Sequence, residues 1–297
     1  YWDEIMTIQR VKCHVICRVI AIFFLAAKAN NTTAETRFLT RFEEVKSAFQ
    51  PSDVRVVDRS GELLHSLRAD KSVRRGQWVA LADISPTLRT AMVLSEDKRF
   101  YEHSGVDWRA VSSAVWGNVW NTKTRGASTI TMQLAGLLDE DLRTAAGGRS
   151  VVQKVGQTVS ARLLERSWRK DQILEAYLNN VPFRGEMVGI DALSRTLFGK
   201  AAHGLDDREA AVTAALVRAP NAKASAVAQR ACNVLKVMQP TVKFDKADCM
   251  GLDLYVTAAL QRKEFDASSG IAPHVARKVL SVRPEPVEGS AGVKKDS

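Results

Sequence analysis

The chain has 297 residues, of which 45% are apolar and only 17 are glycine and 8 proline. That length gives room for about two domains and a sizeable core, and the composition excludes collagen-like, disordered and mini-protein classes. Lys and Arg total 43 against 33 Asp and Glu, a formal charge of +10, which favours an anionic partner such as phosphate, nucleic acid or an acidic membrane without choosing among them.

Near the amino end, Arg10 and Lys12 precede an almost wholly apolar run from Val15 to Ala27, broken only by Arg18. The run is shorter than the ~20 residues a spanning helix needs. With Ala27-Lys28-Ala29 resembling a signal cleavage site, residues 1–30 read as an export signal or short membrane anchor that takes the remainder out of the cytoplasm. Residues 31–77 read as a linker and β-hairpin region, because SDVRVVDRSGELLHS alternates polar and apolar residues around Arg59-Ser60-Gly61. From about Ile84 to Lys236 the apolar periodicity is helical, with Asp107, Ser128, Ser150 and Asp207 as candidate N-caps. Trp108, Trp116 and Trp120 are expected in the core rather than in a membrane-interface belt. Residues 223–281 continue as a helical extension, and residues 282–297, VRPEPVEGSAGVKKDS, read as a disordered tail.

Cys13 and Cys17 lie in the apolar amino segment, whereas Cys232 and Cys249 lie in the part expected to be exported. An oxidising compartment would bridge that second pair; two inert thiols are the alternative. No CxxC or Cys/His spacing marks a structural zinc site.

The densest cluster of reactive side chains is EDKRFYEHSG, residues 96–105. If the segment is helical, Glu96, Phe100 and His103 fall at i, i+4 and i+7 on one face, setting a carboxylate beside an aromatic ring and an imidazole. Apolar neighbours raise a carboxyl pKa towards the operating pH, where a general acid or base works best. A surface helix with ion pairs is the competing reading. Further on, GASTITMQLAGLL places hydroxyls and an amide at a loop-to-helix junction, where free N–H groups suit phosphate or sugar oxygens; Thr129 and Gln133 are i, i+4. Between Arg143 and Lys170 lie seven basic residues against the single acid Glu165, and here Lys154 and Gln157 share a helix face. A solvated basic face is the bland explanation. Two SxxK matches, Ser95–Lys98 and Ser167–Lys170, lack any KTG partner. Asp139-Glu140-Asp141 resembles a metal-binding DxD, but no alternating strand and helix pattern accompanies it.

Taken together, EDKRFYEHSGVDWRA, GASTITMQL, WRKDQILEAYLNNVPFRG and GIDALSRTLFGKAAHGLDDREAAVTAALVRAPN resemble, in order, the motifs of the peptidoglycan glycosyltransferase domain (glycosyltransferase family 51) of class A penicillin-binding proteins. The resemblance covers residues 78–222 and looks closest to the penicillin-binding protein 1C branch. It implies a mainly α, lysozyme-like, two-lobed domain at the periplasmic face of the inner membrane, partly sunk in its outer leaflet. The implied substrates are lipid II and the growing glycan strand, with other cell-wall synthesis proteins as further candidate partners and no nucleic acid. The family normally continues into a transpeptidase domain, which this chain is expected to lack.

By the same resemblance Glu96 is the general base that deprotonates the acceptor's GlcNAc 4-hydroxyl. Asp97, Phe100 and His103 match supporting residues of the first motif, and Ser128, Thr129 and Gln133 match the second. Lys154 matches a basic residue of the third and would neutralise the departing diphosphate. Two positions depart from the pattern. Gln157 stands where the third motif usually has Glu, and Gly136 where the second is usually followed by Lys. Both changes weaken the diphosphate and divalent-cation (Mg or Mn) part of the site, so no metal ligand is assigned. Glu175 is expected to be a scaffold ion-pair residue, and Arg184, Glu186 and Lys200 rank low as substrate contacts. A non-catalytic lipid II or cell-wall-complex binding module and a lysozyme-like or lytic hydrolase, which also works through a Glu, are the competing functions.

Overall fold

The computed structural model describes residues 41–70, 72–111, 128–139, 151–242 and 246–261, with His274 and Lys278. The expected export segment and tail, Cys13, Cys17, Ser150, Trp116 and Trp120 lie outside the described residues.

Helix α1 (Phe42–Ala48) leads into an antiparallel hairpin of β1 (Asp53–Val57) and β2 (Leu63–Arg68), paired from Asp53 with Arg68 to Val57 with Leu63. The turn falls where the sequence places it. Asp58 closes it by accepting the N–H groups of Ser60 and Glu62, each at 2.8 Å, and Gly61 supplies the left-handed conformation at φ +86°. A second, two-residue pairing runs parallel between β3 (Arg74–Arg75) and β4 (Met187–Val188).

The remainder is helical: α2 (Pro86–Glu96), α3 (Ile130–Leu138), α4 (Val151–Ser167), α5 (Lys170–Asn180), α6 (Ile190–Leu193), α7 (Asp207–Arg218), α8 (Ala224–Met238) and α9 (Lys246–Gln261). Sequence and structure agree on a mainly α protein with a small strand region. Helices α2, α7, α8 and α9 pack largely among themselves, as do α3, α4 and α5, with α1 laid against α5. One apolar cluster runs through both groups, from Leu88 and Met92 on α2 to Leu134 on α3, Ile173 and Leu174 on α5, Val212 and Leu216 on α7 and Val256 on α9.

Two N-caps differ by one residue from the sequence reading. Thr129, not Ser128, caps α3 by accepting Met132 N–H at 3.1 Å, and Asp206, not Asp207, caps α7 in a reciprocal box with Glu209. In each case the neighbouring residue has the right chemistry, and the direction of chain entry decides which oxygen reaches the free N–H groups. Asp107 does accept Ala110 N–H at 2.9 Å. Trp108 departs further: it is 54% exposed rather than in the core.

Residues 76–81 form a strap across α5 and α6. Gln77 N–H donates to Asp191, Val79 exchanges two bonds with the Asn179 amide, and Glu175 accepts both Trp78 Nε1–H and Leu81 N–H at 2.8 Å. Glu175 therefore does the scaffold work expected of it. Cys232 of α8 and Cys249 of α9 are disulfide-bonded, as the oxidising-compartment reading expects.

Candidate active site

Helix α2 ends at Glu96, and Asp97 already leaves the helical region at φ −156° and ψ 78°. The expected single helical face for Glu96, Phe100 and His103 is therefore not formed; residues 97–104 are non-helical, with a turn over 98–102. Tertiary contacts override the spacing here. Phe100 folds into the core with no exposed surface, capped by the Lys170 ammonium 4.4 Å from the ring centre. His103 turns back so that its Nε2 lies 2.9 and 3.0 Å from the two Asp97 oxygens. Asp97 also accepts Ile130 N–H at 3.1 Å, tying the first motif to the start of α3.

Stopping the helix there leaves Glu96 at the meeting place of the two helical groups. Its side chain is only 7% exposed. Oε2 accepts the Gln133 side-chain amide of α3 at 3.0 Å, and Oε1 lies 3.6 Å from Nε of Arg218, the last residue of α7. Gln133 is held in turn by the Tyr177 hydroxyl of α5, which donates to its Oε1 at 2.9 Å. Burial raises the Glu96 pKa above the ordinary glutamate value; the Gln133 bond and the Arg218 charge oppose it without cancelling it. The result is a shielded carboxylate at a helix end, facing the Gln133 amide, the more distant Ser95 hydroxyl at 3.5 Å and one partly exposed cation.

The other sequence candidates divide by position. Thr129 is buried, and its hydroxyl donates to Gly105 O at 2.6 Å as well as capping α3, so it joins the two motifs rather than presenting an open oxygen. Ser128, half-buried, lies just before it. Gln157 is 2% exposed on α4. The Lys154 backbone belongs to α4, but its side chain lies outside the described residues. Of the basic stretch, Arg162, Arg166 and Arg169 are exposed, as a solvated face would be. Lys170 is engaged with Glu165 at 2.6 Å and His103 O at 2.7 Å.

Arg184, Glu186 and Lys200 serve the scaffold. Arg184 donates to Ala222 O, Glu186 pairs with Arg68 at 2.7 Å, and Lys200 pairs with Glu209 at 2.8 Å. Sequence reasoning missed Arg218 and Tyr177 as site residues. Both sit inside quoted motif segments, AALVRAPN and LEAYLNN, but only the packing of α5 and α7 turns them towards Glu96.

No group of three or more His, Cys, Asp or Glu converges among the described residues, and both Glu96 oxygens face donors, where a metal would meet the Arg218 charge.

Residues 60–239 match the family model described as transglycosylase. The chain is 36% identical over 160 residues to the biosynthetic peptidoglycan transglycosylase of Mannheimia succiniciproducens, covering 54% of this chain and 64% of that protein. It is 40% identical over 144 residues to the biosynthetic peptidoglycan transglycosylase of Haemophilus influenzae (strain Rd), covering 48% and 56%. Against penicillin-binding protein 1F of Bacillus subtilis it is 35% identical over 170 residues, covering 56% of this chain and 22% of that protein. The chain thus spans less than two thirds of the length of the first of these relatives. None of these three similarities singles out the penicillin-binding protein 1C branch expected from the sequence. The family match takes in more than half of the chain, from the hairpin turn through α8, and so encloses Glu96, Gln133, Tyr177 and Arg218; the chain belongs to the transglycosylase family.

Proposed function

We propose that this chain is a peptidoglycan glycosyltransferase that polymerises lipid II with inversion, Glu96 acting as general base. The observation that carries the reading is the buried Glu96 carboxylate, raised in pKa yet held by the Gln133 amide and facing Arg218. A shielded, partly neutralised carboxylate is what proton abstraction from a sugar hydroxyl requires.

In the proposed step Glu96 takes the proton from the acceptor's GlcNAc 4-hydroxyl. The freed oxygen attacks the anomeric carbon of the donor MurNAc, a new C–O bond forms on the opposite face, and the bond to the polyprenyl diphosphate breaks. The leaving group carries the electron pair away as diphosphate. Arg218, partly exposed beside Glu96, and Lys154 on α4 are the proposed cations for that developing charge. Asp97 and His103 hold the chain after Glu96 and Thr129 joins the two motifs, while Ser128 and Gln157 are proposed as further substrate-binding residues. Phe100 supports this arrangement from the core.

The proposed location is the periplasmic face of the inner membrane, within reach of the lipid substrate. Tyr101 and Trp108, 59% and 54% exposed beside the Glu96 turn, are the aromatic type that settles at a lipid–water boundary. No helix of the described residues is long and apolar enough to cross a membrane. Residues 78–222 are proposed as the catalytic unit, with other cell-wall synthesis proteins as partners.

Incubation of the full chain with labelled lipid II tests the reading. Glu96→Gln should keep the fold by circular dichroism and lose glycan polymerisation by about two to four orders of magnitude. Retained polymerisation in that variant would remove Glu96 as the base, and release of soluble muropeptides from finished cell wall would replace transfer by hydrolysis.

A further inference from the structure

Tyr177 is fully buried on α5, more than forty positions from Gln133 in sequence, yet its hydroxyl meets the Gln133 side-chain oxygen at 2.9 Å. The opposite end of the same amide faces Glu96 Oε2 at 3.0 Å. An ionised carboxylate only accepts hydrogen bonds, so the amide must present its NH2 to Glu96 and its carbonyl to Tyr177. Reversed, two oxygens would oppose each other beside a shielded charge. A protonated Glu96 changes the requirement, because its O–H could then donate to the amide carbonyl while the NH2 turned to the tyrosine oxygen. A tyrosine hydroxyl serves either arrangement, as donor or acceptor.

From this geometry we infer that Tyr177 is a positioning residue for Glu96: by donating to the Gln133 carbonyl it fixes the amide in the sense that serves the ionised carboxylate. The inference deepens the proposed function and rests on it for its catalytic meaning. Among the described residues, the other groups facing Glu96 are Arg218 from α7, which favours ionisation, and Ser95 and Asp97 from its own segment, of which Asp97 opposes it. None of these orients Gln133. Tyr177 acts through a neutral neighbour, so its loss would change the ionisation of Glu96 without removing any charge from the site. A core tyrosine with a merely structural role would affect folding and leave that ionisation alone.

Carbon-13 NMR titration of the Glu96 carboxyl in the full chain tests this whether or not the protein polymerises lipid II. Tyr177→Phe should move the Glu96 midpoint upward, and so should Gln133→Leu. Adding Tyr177→Phe to Gln133→Leu should move it no further, since the route through the amide is already gone. An unmoved midpoint in folded Tyr177→Phe overturns the inference, as does a full additional shift in the double variant. A measurement needing no variant covers the case in which these proteins fail to fold. In the wild-type chain the Gln133 side-chain amide nitrogen should titrate with the Glu96 midpoint, and an amide indifferent to pH in that range overturns the inference. In polymerisation assays the rate of Tyr177→Phe below the midpoint should fall about fivefold, the worth of one hydrogen bond. A moved NMR midpoint with an unmoved pH–rate profile would uphold the positioning role and instead remove Glu96 as the base.

Discussion

Glu96 carries opposing demands, and they separate with pH. Because burial raises its pKa in the folded state, the unfolded chain releases this proton first as pH rises, and the folded state loses stability from the ordinary glutamate value up to the raised one. Glu96→Gln removes that penalty. Its melting temperature should therefore exceed wild type by more at pH 7 than at pH 4, as differential scanning calorimetry at the two pH values would read; an equal difference would mean that Glu96 ionises in the folded protein as freely as in the unfolded one. Arg218 is the complementary residue, 39% exposed and unable to replace burial but able to favour the ionised carboxylate. Arg218→Gln should lower lipid II polymerisation at neutral pH by about tenfold, with the loss shrinking as pH is raised. The candidate base itself was legible in the sequence, since EDKRFYEH concentrates acid, aromatic and imidazole groups in a few positions. Its partners were not. Spacing can place Gln133 on a helix, but not choose which of the other helices supplies the groups at its two ends.

At the scale of elements, the decisive feature is where α2 stops. Continuing it would have set Phe100 and His103 beside Glu96; ending it lets Asp97 bind both His103 and the first N–H of α3. Gly105 makes the return possible. Its φ of +87° suits glycine alone, and a Cβ there would sit 2.7 Å from Ala161 O on α4. Gly105→Ala should cost about 3 kcal/mol or more from strain and overpacking together, measured by urea unfolding, and should also lower activity by displacing the Thr129 bond to Gly105 O. A loss within a few tenths of a kcal/mol would mean that α4 yields easily. The position of the hairpin, by contrast, is encoded locally by alternation and the Asp58–Gly61 turn, which is why it is readable from the sequence, although Arg68 and Ser52 also tie it to Glu186 and Arg75. The caps of α3 and α7 lie between these cases. Their chemistry is local, and their register depends on the angle at which the chain enters.

For the whole molecule, the helices after Arg218 are part of the same packed body as the site. Helix α8 lies against α2 and α7, while α9, beyond the matched family region, buries Leu252 and Val256 and sends the Tyr255 hydroxyl to Glu209 at 3.1 Å. The Cys232–Cys249 bridge joins α8 to α9 across 17 positions, with Cα atoms 5.6 Å apart. Closing a loop of that length removes unfolded-state entropy worth about 3 kcal/mol. Cys232→Ser, or reduction in the folded state, should lower unfolding free energy by about that amount in denaturant titrations; an unchanged midpoint would show that the packing of α9 needs no covalent support.

The sequence by itself determined the helical character, the hairpin, the family motifs in order and the identity of the candidate base, because each is encoded by side-chain type and short-range spacing. It also made the cysteine bridge a reasonable expectation. Only the tertiary structure decided that Glu96 ends its helix, that Phe100 belongs to the core, and that Gln133 and Arg218 meet one carboxylate from different helices while Tyr177 of a third holds Gln133. Those contacts depend on how helices separated by many residues pack against one another, and local periodicity holds no record of that choice.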